Sequence, residues 1–128
     1  MKNFIENSMR TESSMFNELT ENGTVYSKER LIHAALGMQT ESAEFTDAIK
    51  KSLFYGKPID TTNLKEELGD LMWYMAIAMD ELGTNFESEA TRVVNKLKVR
   101  YPAKFNVINA EERDLIAERA ILDKRVVK

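Results

Sequence analysis

Four acidic side chains are spaced for chemistry. Glu41 and Glu44 lie in Gln39-Thr40-Glu41-Ser42-Ala43-Glu44-Phe45, and Glu67 and Asp70 lie in Glu66-Glu67-Leu68-Gly69-Asp70-Leu71. Members of each pair are three residues apart, which on a helix puts them one turn apart on one face. Their neighbours are apolar: Leu36, Ala43, Ala48 and Ile49 around the first pair, and Leu64, Leu68, Leu71, Met75 and Ala78 around the second. Carboxylates converging between two core-facing helices repel one another unless a cation neutralises them. An all-oxygen cage suits a hard divalent ion, Mg²⁺ with Mn²⁺ as a substitute. Acid pairs at this spacing are also common on solvated helix faces. The competing reading is therefore a non-enzymatic helical interaction module with solvated acids.

The elements that must position these groups are helices. Residues 4–20 read as a first helix through Phe4, Ile5, Met9, Met15, Phe16 and Leu19, broken by Glu21-Asn22-Gly23-Thr24. A second runs from Lys28 to about Phe54, capped by Ser27 and stopped by Tyr55-Gly56-Lys57-Pro58. The third starts near Asn63, which has Glu66 three residues on, and ends at Gly83. Thr84-Asn85-Phe86-Glu87 has capping-box spacing for a fourth, stopped by Tyr101-Pro102. Asn109-Ala110-Glu111-Glu112 repeats the signal for a last helix over about 110–124. No stretch alternates long enough to predict a strand. The fold expected is all-α, a compact bundle of four to five helices forming one domain over 1–128, with the first and last helices peripheral.

Composition narrows the function. The 18 basic residues fall short of the 21 acidic ones, giving a net charge of −3, the wrong sign for binding nucleic acid non-specifically. There is no Cys, which excludes a disulfide scaffold, a thiolate zinc site and a cysteine nucleophile. The longest apolar run, Leu71 to Met79, is too short to span a bilayer. Lys2, Glu6, Arg10 and Glu12 interrupt the start of the chain where a secretory signal would be apolar. These features point to a reducing cytoplasm. A carboxylate-bridged di-iron bundle needs Glu-x-x-His on two helices, whereas the single histidine is His33, outside both acid motifs.

The motif Glu41-x-x-Glu44, 22 residues, Glu67-x-x-Asp70 resembles the signature of the MazG-like all-α nucleoside triphosphate pyrophosphohydrolases. Gln39-Thr40-Glu41, Glu66-Glu67-Leu68-Gly69-Asp70-Leu71 and Lys96-x-x-x-Arg100-x-Pro102-x-x-Phe105 add to the likeness, which covers residues 28–106. Longer members carry a Cys-Pro-Trp-Asp segment or tandem domains. Lacking both, this chain resembles the short, single-domain branch, found in bacteria and in phages acting in the host cytoplasm. The resemblance implies Mg²⁺ held by Glu41, Glu44, Glu67 and Asp70, binding the triphosphate oxygens and acidifying a water. That water attacks phosphorus, releasing a nucleoside monophosphate and pyrophosphate, with Glu41 or Glu44 taking its proton. It also implies nucleotide-pool control or house-cleaning as the role, and a homodimer or homotetramer. Partner surface would also help a chain of this length, which buries its core only marginally alone.

Further substrate contacts are expected at the edges of this site. Family analogy makes Asn95, Lys96 and Arg100 on the fourth helix phosphate donors, although basic residues are favoured near a helix C-terminus in any case. Arg92 reads as part of that solvated stripe. Lys50, Lys51 and Lys57 surround the Tyr55-Gly56 turn as surface lysines within reach of a phosphate. His33 lies two turns before Glu41 on the same face, through Gly37, where it borders a base pocket or packs between helices. Tyr74, one turn past Asp70, is placed to line the nucleotide site. Trp73 and the methionines Met38, Met72, Met75 and Met79 read as core or interface.

Overall fold

The computed structural model describes residues 2–124. Its elements are α1 (Lys2–Met9), β1 (Leu19–Glu21), β2 (Thr24–Tyr26), α2 (Lys28–Tyr55), α3 (Thr61–Glu81), α4 (Phe86–Arg100), α5 (Val107–Glu111) and α6 (Leu115–Leu122). The all-α expectation holds, with one small addition. The first helix stops at Met9 rather than running through residues 4–20. Beyond Met9 the short polar side chains satisfy the backbone locally, with the Thr11 hydroxyl donating to the Ser8 carbonyl (3.0 Å) and the Ser13 hydroxyl to that of Met15 (2.9 Å). The chain then makes an antiparallel hairpin, Leu19 opposite Tyr26 and Glu21 opposite Thr24, turning at Asn22 and Gly23, both at positive φ. Its strands are three residues each, too short for alternation to announce them.

The long helices follow the sequence closely. Ser27 caps α2 by accepting from the Arg30 N–H (3.2 Å), and Gly56 closes it in the left-handed conformation at φ +65°. α3 begins two residues before Asn63, because Asp60 is its cap, accepting from the N–H groups of Thr62 and Asn63 at 3.0 Å. The cap of α4 is Asn85, accepting from Ser88 (2.9 Å), rather than Thr84, whose hydroxyl turns to Glu89. The predicted last helix is two helices. Asn106 caps α5, and Asp114 caps α6 by accepting from the Ala117 N–H (2.9 Å), so a fresh start interrupts what reads as one segment.

α2 and α3 form an antiparallel pair. Ser27 and Arg30 at the start of α2 bond Glu81 and Asp80 at the end of α3, and the helices remain in contact back to the Gly56–Asp60 connection. α4 packs against α6, with Arg92 donating to the Leu122 carbonyl (2.7 Å) and Arg100 bonding Glu118. Among the described residues Ala34 is the buried apolar side chain, while Ile32, Leu36, Leu68, Met72, Trp73, Val93 and Val94 are exposed. The accessible surface is 10749 Å². A compact monomer of 14.7 kDa would show about 6,900 Å². Among the described residues no helix is long and apolar enough to cross a membrane.

Candidate functional site

The seam between α2 and α3 brings three of the four acids together. Glu41 from α2 and Glu67 and Asp70 from α3 each offer a carboxylate oxygen, all within 4.8 Å of one another. Glu67 is buried at 4% exposure, Glu41 is half-buried and Asp70 is exposed. A solvated acidic face does not bury a carboxylate, since desolvating an unpaired charge is costly. Glu44 stands outside this trio. Glu44 is exposed, beside the seam rather than in it. There it lines a cavity of about 560 Å³ shared with Glu67, Asn63, Asp47, Lys51 and Lys57.

The electrostatics favour a cation. The Glu41 carboxyl is pushed above its ordinary range, first by lost solvation and then by the negative charges of Glu44, Asp70 and Glu67. The Thr40 hydroxyl, 3.3 Å from Glu41, opposes the shift. Among the described residues no Lys or Arg forms an ion pair with any of the four acids. Lys50 and Lys51 instead hold Asp47 (2.6 and 2.7 Å), keeping its carboxyl down at about 2. The donor set is all carboxylate oxygen, with no imidazole or thiolate, as Mg²⁺ prefers.

His33 and Tyr74 meet at the same seam, two turns from Glu41 and one turn from Asp70 along their helices. Their rings are edge to face, 5.7 Å between centroids at 75°. Gly37 makes this possible. A Cβ there would lie 2.1 Å from Cδ1 of Tyr74, so only glycine lets the ring lie against α2. The only sign of Gly37 in the sequence is a glycine in mid-helix, four residues from both His33 and Glu41.

The α4 candidates fare differently from one another. Asn95 is exposed and Lys96 half-buried, and neither is engaged in an ion pair among the described residues. The Arg100 guanidinium is occupied by the buried Glu118, at 2.8 and 2.6 Å, and Arg113 joins it at 2.7 Å. Arg100 first and Arg113 second hold the Glu118 carboxyl far below the usual carboxylate range, and Glu118 raises Arg100 in turn. No local signal marks Glu118, which is 18 residues from Arg100. Arg92, ion-paired with Glu89 on its own helix, straps α4 to α6 through its hydrogen bond to the Leu122 carbonyl.

The family model of the MazG nucleotide pyrophosphohydrolase domain matches residues 30–105, a span holding all of these acids and every expected substrate contact. No curated protein and no solved structure matches the chain.

Proposed function

The chain belongs to the MazG nucleotide pyrophosphohydrolase domain family, and on that premise we propose that it is a Mg²⁺-dependent enzyme cleaving (deoxy)nucleoside triphosphates to monophosphate and pyrophosphate. The observation that carries this reading is the three-carboxylate seam, with one acid buried and, among the described residues, no basic side chain ion-paired to it. Glu41, Glu67 and Asp70 hold Mg²⁺, with Glu44 beside them; Mn²⁺ is a substitute. When bound, the ion supplies positive charge to the triphosphate oxygens and acidifies water. Glu44, outside the trio, is the carboxylate left to accept the proton from the attacking water. Asn95 and Lys96 donate to phosphate oxygens. Arg100 does so only by releasing Glu118. His33 and Tyr74 border the base from the far end of the seam. The role is control or cleansing of the nucleotide pool, in the cytoplasm.

The assembly is a homodimer or dimer-based homotetramer. The surface in excess of a compact monomer, roughly 3,800 Å² by the mass scaling, and the exposed apolar faces of α2, α3 and α4 support it. Light scattering is expected to return a multiple of 14.7 kDa at micromolar concentration, and the monomer mass would contradict it. The activity is tested by profiling the canonical nucleoside di- and triphosphates with Mg²⁺ and identifying products. Monophosphate plus pyrophosphate is the expected pair, and orthophosphate from the γ-position would refute the reading.

A further inference from the structure

Glu67 is the deepest of the clustered acids, and its carboxylate receives one hydrogen bond among the described residues. The Asn63 side-chain amide donates from Nδ2 to Oε1 at 2.6 Å, from one turn earlier on α3. A carboxylate can only accept, so the amide nitrogen must face it. Asn63 is itself fixed. Its backbone N–H is held by the Asp60 cap at 3.0 Å, at the end of the connection that carries Pro58. Asp60, Asn63 and Glu67 therefore form a rigid relay from the helix start to the acid seam, and all three line the cavity that Glu44 also reaches.

The choice of a neutral donor matters chemically. A lysine or arginine at position 63 would also orient Glu67, but would neutralise it and compete with a cation for its charge. An amide sets the direction of the carboxylate and leaves its full charge available. Groups behind a metal ligand commonly govern affinity in this way.

Resting on the metal-site reading above, we propose that Asn63 is a positioning residue that holds Glu67 in the orientation a divalent cation requires, without offsetting its charge. The test is calorimetric titration of Mg²⁺ into the nucleotide-free protein, comparing wild type with Asn63→Leu, which keeps the branched shape but removes the donor. Loss of such a contact is expected to weaken Mg²⁺ binding by about 10–100-fold. Asn63→Gln, which retains a donor, should recover most of the affinity. In turnover, the apparent KM for Mg²⁺ should rise while kcat at saturating Mg²⁺ is largely kept, a split that loss of helix packing alone would not produce. Should Asn63→Leu disturb the helical circular-dichroism signal, Asn63→Ala is read in the same titration. Wild-type Mg²⁺ affinity in the donor-less variant overturns the proposal while leaving the metal site intact. Failure of the wild-type protein to bind Mg²⁺ overturns the metal site and the proposal together.

Discussion

Gly37→Ala offers a sharp test of how α2 and α3 meet. In an open helical position this change stabilises, since alanine is favoured over glycine by about 1 kcal/mol in helix interiors. Here the new Cβ would stand 2.1–2.3 Å from three atoms of the Tyr74 ring. Carbon atoms pack at about 3.5–4.0 Å, so the ring must retreat by more than about 1 Å. It cannot simply slide along α2 toward that helix's start, because His33 already borders it edge to face. Overpacking of this kind costs about 1–3 kcal/mol. Taking the upper half of that range and subtracting the propensity gain leaves a net loss of about 1–2 kcal/mol. That corresponds to a fall in Tm of roughly 4–8 °C for a chain of this size. The assay is a thermal melt at fixed protein concentration, because oligomerisation makes Tm concentration-dependent. It is repeated in a Tyr74→Ala background, where the obstacle is gone and Gly37→Ala should stabilise by up to about 1 kcal/mol. The resulting coupling is about 2–3 kcal/mol. Gly37→Ala should also weaken Mg²⁺ binding, since it wedges the helices apart one turn from Glu41. A rise in Tm in the wild-type background, or equal effects in both backgrounds, would refute the packing argument.

Other expectations concern the acids and α4. Glu44→Gln should keep nucleotide-free Mg²⁺ affinity near wild type while lowering kcat, as measured by calorimetry alongside pyrophosphate release. Equal loss of both would place Glu44 among the metal ligands instead. Asn95→Ala and Lys96→Ala should each lower kcat/KM by about ten-fold or more, the scale of a lost charge-assisted contact, with Mg²⁺ binding unchanged. Wild-type kinetics in both would make α4 only a scaffold. The Glu118 carboxyl is depressed in the folded chain by Arg100 and Arg113, so its stabilisation is complete above the ordinary value of 4.5 and is lost as pH falls below it. Melts from pH 7 downward should therefore show a Tm decline beginning near that value, and a flatter profile from a lower starting point in Glu118→Gln.

Much of the scaffold was legible because its signals are local. Ser27 and the Gly56–Pro58 turn mark both ends of α2, and the two acid pairs announce themselves by spacing. The N-terminal segment misled because Phe4, Ile5, Met9, Met15 and Phe16 carry helical spacing, while the hydroxyls of Thr11 and Ser13 give the backbone other partners. The division of α5 from α6 was hidden for a similar reason, since it turns on a single cap at Asp114. Other features arise only when distant segments meet. Which of Glu41 and Glu44 meets the α3 acids depends on where α3 approaches. The recess that Gly37 gives Tyr74, and the Arg100–Glu118 pair, exist only in three dimensions. The hydrogen bond from Asn63 to Glu67 has ordinary i,i+4 spacing, yet its weight comes from the burial of Glu67, which the sequence does not display.

The claim at the centre is that the α2–α3 acids hold the ion that drives hydrolysis. Asp70 tests it most cleanly, because it is exposed and its removal disturbs no packing. The decisive measurement follows a nucleoside triphosphate by phosphorus NMR with Mg²⁺, for wild type and for Asp70→Ala at equal helical content. Wild type should convert the triphosphate to monophosphate and pyrophosphate in equal amounts. Asp70→Ala should leave it intact, and should melt no lower than wild type without metal, since a like charge has been removed from the seam. Full hydrolysis by Asp70→Ala would contradict the account.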